Sequence, residues 1–230
     1  MKTIVLSAGH GGSDPGAVGN GIRESDVNLA ITLACRDYLN NNYSGHRLVL
    51  PRDKDVYVSL PARRNLAASV NADLYVSMHN NAASNSAGRG FETFTHSGPL
   101  FAATLNYQKI LHEQVWRALA PYGTPNRGMK RANHWVTRNM SCPTVLMEYL
   151  FVTNPQDASL LKKPEILKML GEATGEGIAL ALKLPRKTQD DNTRWIVLAG
   201  EYKSEGEART EVYRLKGYGY RDATIITKKG

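Results

Sequence analysis

The chain has 230 residues, enough for one well-buried core and a small appendage. Apolar residues make up 42% and no apolar stretch is long enough to span a bilayer, so a soluble globular protein with no membrane span is expected. The net charge of +8 is spread along the chain without a long basic run, which favours general attraction to a polyanion over a dedicated nucleic-acid surface.

Residues 3–6 (TIVL) form an apolar run that reads as a buried strand, and the glycines of Ser7-Ala8-Gly9-His10-Gly11-Gly12 read as a tight turn at its exit. No charged, apolar and small-residue leader precedes it, so a cytoplasmic start, or export without a cleaved signal, is expected. Apolar spacing over 26–34 predicts an amphipathic helix. Residues 47–50 predict a short strand closed by Pro51, and 60–69 a helix. Residues 74–78 predict a second buried strand ending in His79-Asn80-Asn81, and 90–95 another strand. A long helix is expected over 105–119, with Pro121 and Gly123 just past it. Residues 144–147 predict a third buried strand, ending in Glu148, and 160–182 the last helices of this part.

This alternation implies an α/β fold: a mostly parallel twisted sheet with helices on both faces. Residues 184–193 are polar and read as a linker. Beyond them, 195–199, 204–215 and 223–227 predict one small βαβ-like unit. The expected organisation is a catalytic domain over 1–183, the linker, and a C-terminal unit over 194–230. Cys35 and Cys142 form no CxxC pair and read as ordinary thiols.

His10, His79 and Glu148 each stand at the exit of their own strand, at the edge where open α/β sheets take ligands. Two imidazoles so placed suggest a metal-dependent hydrolase. Hydrolytic zinc takes three protein ligands and keeps a fourth position for water. Spacing leaves Asp14, Glu24 and Asp26 open as the third ligand. There is no HExxH helix. Asn81 reads equally as a substrate contact or as a residue orienting a ligand. Glu92 is a candidate for the site rim, and Trp135 for the groove wall or the core. Arg131 and Arg138 are candidates for substrate carboxylates, with a solvated face as the alternative. Arg52, Asp55 and Arg63 are expected to form structural ion pairs. His46, His96, His112 and His134 are not expected to be ligands.

Five stretches carry a resemblance: SAGHGGSDPGAVGNGIRES, RDKDVYVSLPARRNLAASVNADLYVSMHNNA, GFETF, NRGMKRANHWVTR and PTVLMEYLFVTNPQD. In this order, over about residues 2–182, the chain resembles the amidase_3 family of zinc-dependent N-acetylmuramoyl-L-alanine amidases, found in phage endolysins and bacterial autolysins. The resemblance implies zinc ligands at His10, Glu24 and His79 and a catalytic glutamate at Glu148. It implies cleavage of the amide between N-acetylmuramic acid and L-alanine in peptidoglycan, with lysis of the cell wall as the outcome. Tyr149-Leu150 stand where small residues are common in the family, and Thr137 where an aliphatic residue is more usual; both bear on the pocket wall. The missing leader fits either a phage endolysin or a lytic enzyme freed when a mother cell lyses, held in the cytoplasm until released to the wall; a compact catalytic part with a small C-terminal binding part favours the endolysin. The rival readings are a zinc peptidase cutting within the stem peptide and a non-catalytic wall-binding protein. Residues 194–229 resemble half of a SPOR domain, which implies wall binding and a possible homodimer that completes the sheet. Peptidoglycan and anionic wall polymers are the expected partners.

Overall fold

A computed structural model describes residues 1–187, Tyr202 and 204–217. The chain divides into two compact units, residues 1–187 and 188–230. The strands of the first are β1 (Lys2–Ala8), β2 (Val18–Gly19), β3 (Ile22–Arg23), β4 (His46–Val49), β5 (Leu74–Asn81), β6 (Phe91–His96), β7 (Asn126–Ala132) and β8 (Thr144–Phe151). Its helices are α1 (Glu24–Asn42), α2 (Leu60–Ser69), α3 (Thr104–Leu119), α4 (Trp135–Arg138), α5 (Pro155–Leu161) and α6 (Pro164–Leu182).

Six strands form one sheet in the order β4-β1-β5-β8-β6-β7. The first four are parallel, β6 pairs antiparallel with β8, and β7 runs parallel to β6. The C-terminal ends of β1, β5 and β8 therefore share one edge with the N-terminal ends of β6 and β7. β2 and β3 form a separate two-stranded hairpin.

The two faces of the sheet are covered unequally. Ile4, Leu6, Leu74, Val76, Met78, Val145 and Met147 point to a thick layer that includes Ile31, Leu111, Leu170 and Ile178 of α1, α3 and α6. Full burial of each such side chain stabilises by about 1.5–3 kcal/mol. The alternate residues Val5, Tyr75 and Leu146 meet only a thin layer, with Ala67 of α2, Val136 of α4 and Cys142. Further along the same strands this face carries His79 and Glu148 instead of apolar residues, and the chemistry is exposed there.

β7 was not expected. Its sequence, Asn-Arg-Gly-Met-Lys-Arg-Ala, has no apolar alternation; it is an edge strand, where charged residues are tolerated, and it forms by pairing with β6. α1 begins before and ends after the expected 26–34. Its N-cap, Arg23, makes no side-chain cap bond, so the usual start signal is missing.

Residues 184–187, at the start of the expected linker, pack within the first unit. Leu184 is buried, Ser44 N–H donates to Pro185 O at 2.9 Å, and Lys187 N–H donates to Asn42 O at 2.8 Å. In the second unit, α7 (Glu205–Gly217) coincides with the expected helix. Ser204 Oγ accepts from Glu207 N–H at 3.3 Å, and Arg209 pairs with Glu205 one turn away. The strands expected at 195–199 and 223–227 lie outside the described residues.

Candidate active site

β1 ends at Ala8, and the chain turns through Gly9 and His10, whose φ is +58°. A Cβ on Gly9 would lie 2.1 Å from His79 Cε1, so only glycine lets the His79 ring lie against this turn. Two buried arginines hold the turn from beneath. Arg52 donates to Gly9 O at 2.7 Å, Ser25 O at 2.8 Å and Ala8 O at 3.2 Å. Arg63 donates to Ala8 O at 2.7 Å, Ser7 Oγ at 2.9 Å and His10 O at 2.8 Å. These contacts take the place of the expected ion pairs: a left-handed turn exposes carbonyls that the strand ladder does not use, and guanidinium groups satisfy them. Asp55 does form an ion pair, with Arg23 at 3.3 Å, and also accepts from Gly12 N–H at 2.7 Å.

Glu24 is the first residue of α1 and is 4% exposed. Its Oε1 lies 2.9 Å from His79 Nδ1, and its Oε2 lies 3.2 Å from His10 Nε2. Ala17 N–H and Asn28 Nδ2 also donate to it, at 3.0 and 3.1 Å. Gly16, with φ +66°, makes room, since a Cβ there would fall 2.7 Å from both Glu24 Oε2 and His10 Cδ2. Burial alone would push the Glu24 carboxyl up, but His10 and His79 outweigh it and hold the group far below the ordinary carboxylate range.

One donor atom from each of His10, Glu24 and His79 falls within 4.8 Å of the others. Two imidazoles converging on one buried carboxylate are a donor set suited to a hydrolytic metal with an open position. Asp14 Oδ2 sits 2.8 Å from His10 Nδ1, which leaves Nε2 facing the cluster and fixes the ring, as carboxylates behind metal-binding histidines do. Of the three acids left open by spacing, Glu24 therefore joins the cluster, Asp14 supports it, and Asp26 pairs with Arg23 at the surface. Among the described residues no other group of three such side chains converges in this way, so His46, His96, His112 and His134 lie outside it.

Glu148 is the register partner of His79 on β8, and Glu92 is the register partner of Glu148 on β6. Three ionisable side chains thus stand in a row across three adjacent strands. Glu148 is partly accessible, yet its Oε2 is buried with no hydrogen-bond partner. Burial, followed by the charges of Glu24 and Glu92, pushes its pKa well above the ordinary carboxylate value. Glu92 has the opposite surroundings. Asn81 Nδ2 donates to its Oε1 at 2.6 Å, and Arg127 Nε and Lys130 Nζ both reach its Oε2, the former at 3.0 Å.

Asn81 lies two residues beyond His79 on the same face, and its Oδ1 accepts from Ala82 N–H. Arg131 donates to the carbonyls of His96, Ser97 and Gly98, closing the end of β6. Trp135 opens α4 and is partly exposed, and Arg138 is exposed at its end. Arg127 and Lys130 were not singled out from the sequence: they lie on the one strand of the sheet that the apolar pattern missed.

The family Amidase_3, described as N-acetylmuramoyl-L-alanine amidase, matches residues 4–180. The endolysin of Bacillus phage SPP1 is 40% identical over 188 residues, covering 81% of this chain and 68% of its own length. The sporulation-specific N-acetylmuramoyl-L-alanine amidase of Bacillus subtilis is 35% identical over 228 residues, 99% of this chain and 86% of its own. Among solved structures, the catalytic domain of CwlV, the N-acetylmuramoyl-L-alanine amidase of Paenibacillus polymyxa, superposes with a TM-score of 0.74. It is 29% identical, and the match covers 80% of this chain and 99% of that one.

Proposed function

The chain belongs to the Amidase_3 family of N-acetylmuramoyl-L-alanine amidases, and from that premise we propose that His10, Glu24 and His79 hold a zinc ion and that Glu148 is its catalytic proton carrier. The enzyme hydrolyses the amide between N-acetylmuramic acid and L-alanine in peptidoglycan. The observation that carries the catalytic assignment is the position of Glu148, next to His79 across the sheet and with one carboxyl oxygen unpaired.

When bound, zinc lowers the pKa of its water towards neutrality and polarises the scissile carbonyl. Glu148 takes the proton of the attacking water and returns it to the departing alanine amine. Its raised pKa suits both halves of that transfer, because a carboxyl in the ordinary range returns a proton poorly. Asp14 holds the His10 ring, and Arg52 and Arg63 hold the turn that carries it. Asn81 acts on the substrate side by fixing the Glu92 carboxylate beside Glu148.

The amidase matches include both a phage endolysin and a bacterial sporulation enzyme, so the reading rests on the activity and not on the source. Among the described residues no helix is long and apolar enough to cross a membrane. The alignment to the sporulation amidase runs through the C-terminal segment. From the resemblance of residues 194–229 to half of a SPOR domain, wall binding by residues 188–230 is the accompanying proposal, with pairing of two copies. Mass spectrometry of muropeptides after digestion tests the assignment: it should find new alanine amino termini and intact lactyl-muramic acid. Cuts only within the stem peptide would establish the peptidase instead.

A further inference from the structure

Beyond Glu148, two cations converge on one carboxylate. Arg127 and Lys130 of β7 both reach Glu92 Oε2, leaving one positive charge in excess. Among the described residues neither pairs with another acid. The Glu92 side chain is 4% exposed, whereas those of Arg127 and Lys130 are 35% and 39% exposed, so each cation keeps a face open to solvent. Both heads are also held in place. The Arg127 guanidinium lies 4.9 Å from the centre of the Phe151 ring, and Lys130 Nζ lies 5.7 Å from that of Phe94. Cations fixed in this way lose little freedom when an anion binds.

Their position relative to the reaction sets what they would meet. The row across the sheet runs His79, Glu148, Glu92. The scissile carbonyl belongs at the metal end, and the leaving amine must reach Glu148 to be protonated. The released peptide therefore continues towards Glu92 and β7. Adjacent strands are about 4.8 Å apart, which places Glu92 one spacing past Glu148. An extended residue advances about 3.5 Å, so a carboxylate on the residue after L-alanine reaches about 5–7 Å beyond the scissile nitrogen.

Resting on the amidase reading above, we propose that Arg127 and Lys130 form a subsite for a free carboxylate on the second residue of the stem peptide. They make the enzyme selective for stems in which that residue is acidic rather than amidated. Glu92 acts as a positioning residue. It gathers the two cations and is itself fixed by Asn81.

The test uses the full-length, zinc-loaded protein and two synthetic N-acetylmuramoyl peptides that differ only in a carboxylate or a carboxamide on the second residue. Wild-type kcat/KM should favour the carboxylate by about tenfold or more, mostly through KM, the size expected of charge-assisted hydrogen bonds. In the Arg127→Gln/Lys130→Gln double variant the preference should shrink to within about twofold, with zinc content unchanged, and Lys130→Arg should retain it. Equal cleavage of both peptides by the wild type overturns the subsite and leaves the amidase standing. Cleavage of neither at the lactyl–alanine bond overturns the amidase reading itself. A preference that persists in the double variant shows that other groups read the carboxylate. Should the double variant fail to fold, the wild-type comparison together with each single variant decides the matter.

Discussion

Glu92 and Glu148 are register partners on antiparallel β6 and β8, yet one is met by two cations and an amide while the other has an unpaired oxygen. Partners of this kind project from the same face with Cβ atoms about 4.5–5.5 Å apart. The charge of Glu92 is among the causes that raise the Glu148 pKa. Unlike surroundings on neighbouring carboxyls divide their work in the proposed mechanism: Glu148 is left to move protons, and Glu92 holds the wall beside it.

Conservative substitutions should separate the two roles. Glu148→Gln keeps size and shape but removes the proton acceptor. It should retain zinc and thermal stability while turnover falls by at least ~10²-fold. Glu92→Gln should instead lower stability, by about 1–3 kcal/mol, because it leaves Arg127 and Lys130 without their carboxylate. Its kcat should fall much less than that of the first variant. Kinetics and thermal melts on both proteins check this, and near-wild-type turnover in Glu148→Gln would remove Glu148 as the base.

Metal binding should depend on residues both in the cluster and behind it. His10→Ala and His79→Ala should lose bound zinc, and chelation should abolish activity that added zinc restores. Asp14→Asn should weaken zinc affinity by about 10–100-fold without removing a ligand, since Asp14 only orients His10. Zinc titration against a competing chelator measures each. An unchanged affinity in Asp14→Asn would leave Asp14 no part in the site.

The strand-exit residues His10, His79 and Glu148 were legible because the pattern that makes a buried strand also shows where it ends. Glu24 was not separable by pattern. It sits at a helix start with no capping signal, between Asp14 and Asp26, and only the family resemblance selected it. The buried contacts of Arg52 and Arg63 were also hidden. They answer carbonyls exposed by the left-handed His10 turn, which nothing in the local sequence announces. β7 escaped because an edge strand needs no apolar alternation, and the two cations beside Glu92 escaped with it.

pH should change the value of the metal to stability. In the metal-free protein burial pulls the His10 imidazole down, but Glu24 and Asp14 outweigh it and raise its pKa above the ordinary value. A raised pKa contributes stability that is full below the unfolded value, about 6.5, and is lost as pH rises through the folded one. Glu24, whose pKa is depressed, contributes above the unfolded carboxylate value and loses that contribution only in strong acid. The metal-free protein therefore loses the His10 contribution as pH rises from about 6.5 through the raised value. Zinc needs unprotonated imidazoles and gains over the same range. The difference in Tm between zinc-loaded and chelated protein should widen with pH; a gap that stays constant or narrows would contradict the assigned ligands.

Truncation after Lys187 tests the division of labour along the chain. The first unit ends there, with Leu184 buried and the backbone of 185–187 bonded to residues 42–44. A cut at 183 would remove these contacts, whereas a cut at 187 keeps them. The shortened protein should fold, bind zinc and cleave soluble muropeptides with a kcat/KM within about twofold of the full chain, since His10, Glu24, His79 and Glu148 all lie in the first unit. If residues 188–230 bind the wall, sedimentation with insoluble peptidoglycan should show weaker retention of the shortened protein. If they also pair two copies, analytical ultracentrifugation should find a dimer for the full chain and a monomer after truncation. Equal retention of both proteins on the wall would remove the targeting role, and a full-length monomer at micromolar concentration would remove the pairing. The two outcomes are independent, because one chain can bind peptidoglycan without a partner.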